Sequence, residues 1–104
     1  MEIKILDSSL EEFIESLQKP TIAKVLRTID LLEEFGPKLG MPHTKKISAR
    51  LFELRIRGAQ EIRIFCTFHK SQIYLLHGFI KKSDRIHKKE IRTALQKLKN
   101  LDIV

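Results

Sequence analysis

The chain has no tryptophan, one tyrosine, one cysteine, three prolines and four glycines among its 104 residues. A lone cysteine, Cys66, excludes an internal disulfide and any metal site built from several cysteines. No apolar run reaches the roughly 18 to 20 residues that a membrane-spanning helix needs. Met1 to Leu6 mixes charged with apolar residues and lacks the apolar stretch of a secretory signal, so the sequence predicts a cytoplasmic protein. There is no glycine-rich phosphate loop, and no H-x-x-x-H, H-E-x-x-H or Cys/His spacing, so neither a metal nor a cofactor is expected. Repeats, low-complexity segments and linkers are missing as well. At this length, with 42% hydrophobic residues, the chain reads as one domain, 1–104, with room for one core.

Acidic residues are scarce in one part of the chain only. Residues 1–40 hold five Lys/Arg and eight Asp/Glu, whereas residues 41–104 hold fifteen and five. The formal net charge of +7 is therefore one-sided. An excess of that size points to a polyanionic partner, most simply a nucleic acid, and charge alone does not say which.

Periodicity divides the chain into elements. Ile3 and Ile5 share one face of a short N-terminal strand. Ser9 and Glu12 have capping-box spacing ahead of a helix marked by Leu10, Phe13, Ile14 and Leu17. Pro20 opens a second helix with Ile22, Val25, Leu26, Ile29 and Leu32 on its stripe, which Gly36 and Pro37 stop. Gly40 to Arg50 reads as a basic loop. The period then changes to two. Phe52, Leu54 and Ile56 alternate with Glu53, Arg55 and Arg57. After a turn at Gly58, Ile62, Ile64, Cys66 and Phe68 alternate with Glu61, Arg63, Phe65, Thr67 and His69. Gln72 to Ile80 is apolar on both faces and reads as an interior strand. A last helix from about His87 carries Ile91, Ala94, Leu95, Leu98 and Leu101 on one stripe. The predicted fold is α+β in the order β-α-α-β-β-β-α. An antiparallel meander lies under the helix hairpin, and its other face turns Arg55, Arg57 and Arg63 to solvent.

Those arginines are the leading candidates for chemistry. Arg55 and Arg57 lie two apart on one strand, and Arg63 has matching parity on the next. Lys81 and Lys82 end the third strand at the rim of the same sheet. Five such cations suit consecutive phosphates, held by charge-assisted and partly bidentate contacts. Lys45 and Lys46 add charge from the basic loop. Glu53 and Glu61 share the arginine face, where either orients an arginine or acts as a base. His77 reads as a hydrogen-bonded core or rim residue, His69 as a turn residue and His43 as a loop residue within reach of a nucleic acid. His87, close after Lys82, is a candidate to face the patch. Cys66 shares its face with Ile62 and Ile64 and reads as a small buried apolar residue.

The stretches Leu51-Phe-Glu-Leu-Arg-Ile-Arg-Gly58, Ile62-Arg-Ile-Phe65 and Leu75-Leu-His-Gly-Phe-Ile-Lys-Lys82 resemble the phage-associated, HigB-like branch of the RelE toxin superfamily. Pro42, Lys46 and Ile47 match a segment that precedes the first of these strands in that branch. Glu90, Ile91 and Ala94 match its last helix. Many relatives carry proline in place of His87 and an indole or phenol in place of Phe52. The resemblance covers residues 40–100 closely and implies a RelE-like, microbial-ribonuclease-like sheet. It also implies the toxin of a type II toxin–antitoxin system, a metal-independent endoribonuclease that cuts mRNA on the ribosome. In that chemistry a ribose 2′-hydroxyl attacks the adjacent phosphate. Arg63 would stabilise the phosphorane, Arg55 and Lys82 would bind flanking phosphates, and His87 or Lys88 would stand where relatives place a late catalytic group. With no tyrosine after Lys82, a phenol has no part in it. Arg57, Lys81, Lys45, Lys46 and Lys88 would contact RNA. The implied partner is an antitoxin with a helix-turn-helix domain. Replacing Arg63 by alanine is expected to silence the protein without unfolding it. The competing reading is a non-catalytic basic module of the same fold that binds nucleic acid or regulates through a partner.

Overall fold

In the computed structural model the alternating stretches are strands and the stretches with a three-to-four repeat are helices, with residues 1–84 and 88–103 described. In chain order the elements are β1 (Glu2–Ile5), α1 (Ser8–Glu15), α2 (Lys19–Phe35), β2 (Thr44–Lys46), β3 (Phe52–Ile56), β4 (Ile62–His69), β5 (Gln72–Ile80) and α3 (Lys88–Ile103), with a 3-10 turn at Gly36–Lys38. The class is α+β, as expected. Among the described residues the sheet has five strands in the order β1-β5-β4-β3-β2. β1 runs parallel to β5, and the other neighbours are antiparallel. The order differs from the expected one by one strand. Thr44–Lys46, read from the sequence as loop, pairs with Leu54, Glu53 and Phe52 at the edge of the sheet. Three residues are too few for alternation to register.

Local chemistry explains the helix limits. Pro20 sits in the first turn of α2, where its missing N–H leaves no bond unmade. Gly36 ends the helix with φ +55°, and a Cβ there would lie 3.0 Å from Met1 Sδ. The capping box expected at Ser9 is not formed. Asp7 occupies the N-cap of α1, and Ser9 Oγ donates to Asp7 Oδ1 at 2.6 Å.

Two apolar clusters pack against opposite faces of the sheet. On one face Leu54, Ile56, Ile62, Ile64, Cys66, Ile73 and Leu75 meet Leu10 and Ile14 of α1, Leu17 in the bend after it, and Val25 and Leu32 of α2. Gly78 lets α1 approach closely: a Cβ on it would lie 2.9 Å from Leu10 Cδ1 and from two ring atoms of Phe13. On the other face Leu51, Phe65, Leu76 and Phe79 pack under Ala94, Leu98 and Leu101 of α3. The expectation that this second face lies open is therefore wrong, because α3 buries its stripe there. Leu95, assigned to that stripe, is 45% exposed.

The pairing of β4 with β5 shifts register between Phe65 and Cys66. Phe65 pairs with His77 and Cys66 with Leu75, which leaves Leu76 as the extra residue of a bulge. Leu76 and Phe79 thus both join the α3 cluster, while Leu75 and Ile80 serve the opposite one. Polar links help hold α3 in place. Arg50 donates to both carboxylate oxygens of Asp102, at 2.7 and 2.8 Å. Lys97 Nζ lies 3.1 Å from Asp7 Oδ2. His77 Nε2 is hydrogen-bonded to Glu90.

Candidate nucleic-acid interface

Strand register decides which cations share a face. Arg55 stands directly opposite Arg63 across β3 and β4, so the parity expected from the sequence holds. Glu53, two residues before Arg55, has the same parity. Its Oε1 lies 3.5 Å from Nε of both arginines. Arg63 is 2% exposed and Glu53 is 2% exposed. Arg63 Nη1 also donates to the Ile62 carbonyl at 3.0 Å and to Glu61 Oε2 at 3.4 Å. Arg63 is thus not the solvent-facing guanidinium that alternation suggested. A cation covered to this degree needs carboxylate and carbonyl partners to offset its desolvation, and Glu53, Glu61 and Ile62 supply them. Removing its side chain would leave Glu53 buried with one partner fewer, so Arg63→Ala is not a fold-neutral change.

The exposed cations gather at one end of this sheet. Where β4 begins and β5 ends, a cleft of about 290 Å³ is lined by Arg57, Glu61, Arg63, Lys81, Lys82, Ser83 and Asp84. The Lys81 N–H donates to the Glu61 carbonyl at 2.7 Å, which carries the pairing of β4 and β5 one residue past the strand end and sets Lys81 beside the cleft. Arg57 and Lys82 are exposed, and Lys81 is half-buried. Arg57 Nη1 is 3.9 Å from Glu61 Oε1, a loose pair that solvent screens. The cleft therefore sets exposed and half-buried cationic side chains over a buried guanidinium. That arrangement suits a phosphate group: the charge is supplied by Arg57, Lys81 and Lys82 and the geometry by Arg63.

A second cleft, also about 290 Å³, lies between α2 and the β2–β3 edge and is lined by Lys24, Arg27, Thr28, Leu31, Pro42, His43, Arg55, Ile56 and Arg57. Sequence reasoning missed it. Lys24, Arg27, Thr28 and Leu31 fall at steps of three and four, which places them on one helix face, and that spacing was the available signal. Arg57 lines both clefts.

The remaining candidates disperse. Lys45 pairs with Glu53 and shares its face, whereas Lys46 pairs with Phe52 and projects to the other face of the edge strand. Lys88 is exposed at the start of α3. His87 lies outside the described residues. His69 packs edge-on to Tyr74, with ring centres 6.0 Å apart. His77 stacks on Phe79 at 6.1 Å besides bonding Glu90, in keeping with a hydrogen-bonded rim residue. Cys66 is completely buried, and burial pushes its thiol up to about 12, which removes it as a nucleophile. Among the described residues no three His, Cys, Asp or Glu side chains converge as metal ligands would.

The family model of phage-derived Gp49-like proteins (DUF891) matches residues 12–99, a span that runs from α1 through both clefts into α3. A search of curated proteins returns no match.

Proposed function

This chain belongs to the phage-derived Gp49-like family, a family of RelE/HigB-type toxins of toxin–antitoxin systems, and we propose that it is a toxin that cuts mRNA on the ribosome. On this reading residues 1–104 form one domain of the HigB-like branch, with a RelE-like sheet. An antitoxin carrying a helix-turn-helix domain restrains it in the cytoplasm.

The observation that carries the reading is the cleft at the end of β3, β4 and β5, where Arg57, Arg63, Lys81 and Lys82 line one space together with Glu61, Ser83 and Asp84. A ribose 2′-hydroxyl attacks the adjacent phosphate, the 5′-oxygen leaves, and a 2′,3′-cyclic phosphate results. Negative charge grows on the phosphorane oxygens, and fixed cations there lower the barrier. Lys82 and Arg57 are free to close on those oxygens. Arg63 stands behind them, and a phosphate entering the cleft competes with Glu61 for its Nη1. Lys81 and Arg55 serve flanking phosphates, and Lys45, Lys46 and Lys88 steer the strand. The proton-transfer role goes to His87 or Lys88.

Lys82 supplies the clean test, because it is exposed and its removal leaves the core intact. Expression of the wild type should arrest growth, and primer extension on translated mRNA should show new 5′ ends. Lys82→Ala should suppress both by at least about tenfold at an unchanged thermal midpoint. A second reading draws on the ion pairs that occupy Arg63. In it the chain is a non-catalytic basic module that binds RNA or acts through its partner. Growth arrest with intact mRNA would select that reading, and normal growth with intact mRNA would remove the toxin assignment.

A further inference from the structure

The second cleft differs from the first in chemistry. Glu61 and Asp84 line the first, whereas among the described residues the charged side chains lining the second, Lys24, Arg27, Arg55 and Arg57, are cations, Arg55 being paired with Glu53 and Arg57 loosely with Glu61. Leu31, Pro42 and Ile56 supply an apolar lining, and the imidazole of His43 is half-buried beside them. Lys24 reaches across the cleft mouth toward the β3–β4 turn. A Cβ on Gly58 would come within 2.5 Å of its Nζ, so the glycine leaves that position open to the ammonium.

An apolar lining beside an all-cationic set of charges matches an unstacked nucleotide. The base face lies on apolar and ring surfaces, and the phosphate meets the cations. An acidic peptide would satisfy the cations but would leave the flat apolar surface and the imidazole with less to do. Arg57 belongs to both clefts, so a single strand leaving the first enters the second after bending round the end of the β3–β4 hairpin. We infer that the cleft formed by Lys24, Arg27, Pro42, His43 and Arg57 is a second nucleotide-binding subsite for the same RNA strand whose phosphate occupies the Arg63 cleft. This inference rests on the nucleic-acid reading given above and adds to it a site between α2 and the β2–β3 edge of the sheet. The subsite makes affinity depend on strand length, because a dinucleotide fills only the first cleft.

The experiment uses 2′-O-methyl oligonucleotides, which resist cleavage, with binding followed by fluorescence anisotropy. A dinucleotide and a hexanucleotide are titrated into the wild type and into Lys24→Ala/Arg27→Ala. Both replaced residues are exposed, and the thermal midpoint is measured to establish equal folding. The variant should bind the hexanucleotide about tenfold more weakly, with the slope of log affinity against log salt reduced by roughly 1.4, the value for two phosphate contacts on a single strand. Its affinity for the dinucleotide should not change. Equal hexanucleotide binding by the two proteins overturns the subsite and leaves the first cleft standing. A parallel loss for both oligonucleotides overturns it too, because the two cations then act on one site. Loss of binding to a hexaglutamate peptide with hexanucleotide binding retained assigns the cleft to a protein partner instead. A wild type that binds neither oligonucleotide removes the underlying nucleic-acid reading along with the subsite.

Discussion

Arg55 and Arg63 face each other across two strands and share one oxygen, Glu53 Oε1, at 3.5 Å from each Nε. Two like charges directly opposite in a sheet repel, and a carboxylate between them converts the repulsion into a three-residue ion cluster. Glu53 Oε2 is buried with no hydrogen-bond partner among the described residues, so the attraction runs through a single oxygen. Replacing Glu53 by alanine should therefore destabilise the fold by about 3 to 5 kcal/mol, the range for removing one member of a buried pair. Adding Arg63→Met should recover part of that loss, because the stranded cation goes with it. Urea titrations of the two variants check both statements, and a loss under about 1 kcal/mol for Glu53→Ala would deny the cluster its structural role.

The clasp between Arg50 and Asp102 should make the docking of α3 sensitive to acid. The hydrogen bond from Arg50 holds the Asp102 carboxyl below its ordinary value of 3.8, so the folded state binds that proton less well than the unfolded chain does. The resulting stabilisation is complete above 3.8 and disappears as pH falls through the lowered folded value. Thermal midpoints of the wild type and Asp102→Asn should differ at pH 7 and converge toward pH 2. Asp7 behaves in the same sense: burial raises its pKa, but hydrogen bonds from Ser9 and Lys97 outweigh that and lower it.

Cys66 should set an alkaline limit. Burial raises its thiol from 9.0 to about 12, so the unfolded chain releases this proton first as pH rises. The contribution is full below pH 9.0 and is lost between there and about 12. Across that window the stability of the wild type relative to Cys66→Ala should decline by up to about 1.4 kcal/mol per pH unit. The native protein should also resist an aromatic disulfide reagent at pH 8 and react on unfolding. Fast labelling of the folded chain would contradict the burial.

Gly78→Ala probes the contact between α1 and β5. The added methyl would fall 2.9 Å from Leu10 Cδ1 and from Phe13 Cδ2 and Cε2, inside a packed core. Overpacking of this kind costs about 1 to 3 kcal/mol, which denaturant unfolding resolves. Ala94, buried on the sheet-facing side of α3, would be the matching site for a change that disturbs the opposite face.

The strands were legible because alternation survives without knowledge of neighbours. Phe52, Leu54 and Ile56, and likewise Ile62, Ile64, Cys66 and Phe68, face the helix hairpin as their period requires. The edge strand at Thr44–Lys46 was not legible, since it owes its conformation to pairing with β3. Nor was the destination of α3. An apolar stripe states that a helix buries itself, not which surface it chooses, and Leu95 fitted the stripe yet stays in solvent. The same gap accounts for the site. Parity and strand ends were enough to bring Arg57, Arg63, Lys81 and Lys82 together. The burial of Arg63 depends on the third dimension, on Glu53 and Glu61 closing round it beneath the covered face. The second cleft joins α2 to the β2–β3 edge across the loop that separates them, and one-dimensional patterns carry no such adjacency.

β1 pairs with β5 in parallel, Glu2 beside Gln72 and Ile5 beside Leu75. That pairing closes a loop of about 70 residues, so β1 joins the sheet only once β5 is in place. Closure over such a distance is slow, because the entropy of the loop is lost before the contact rewards it. The outer strand beside β5 is therefore the part of the sheet that depends most on the rest of the fold to assemble.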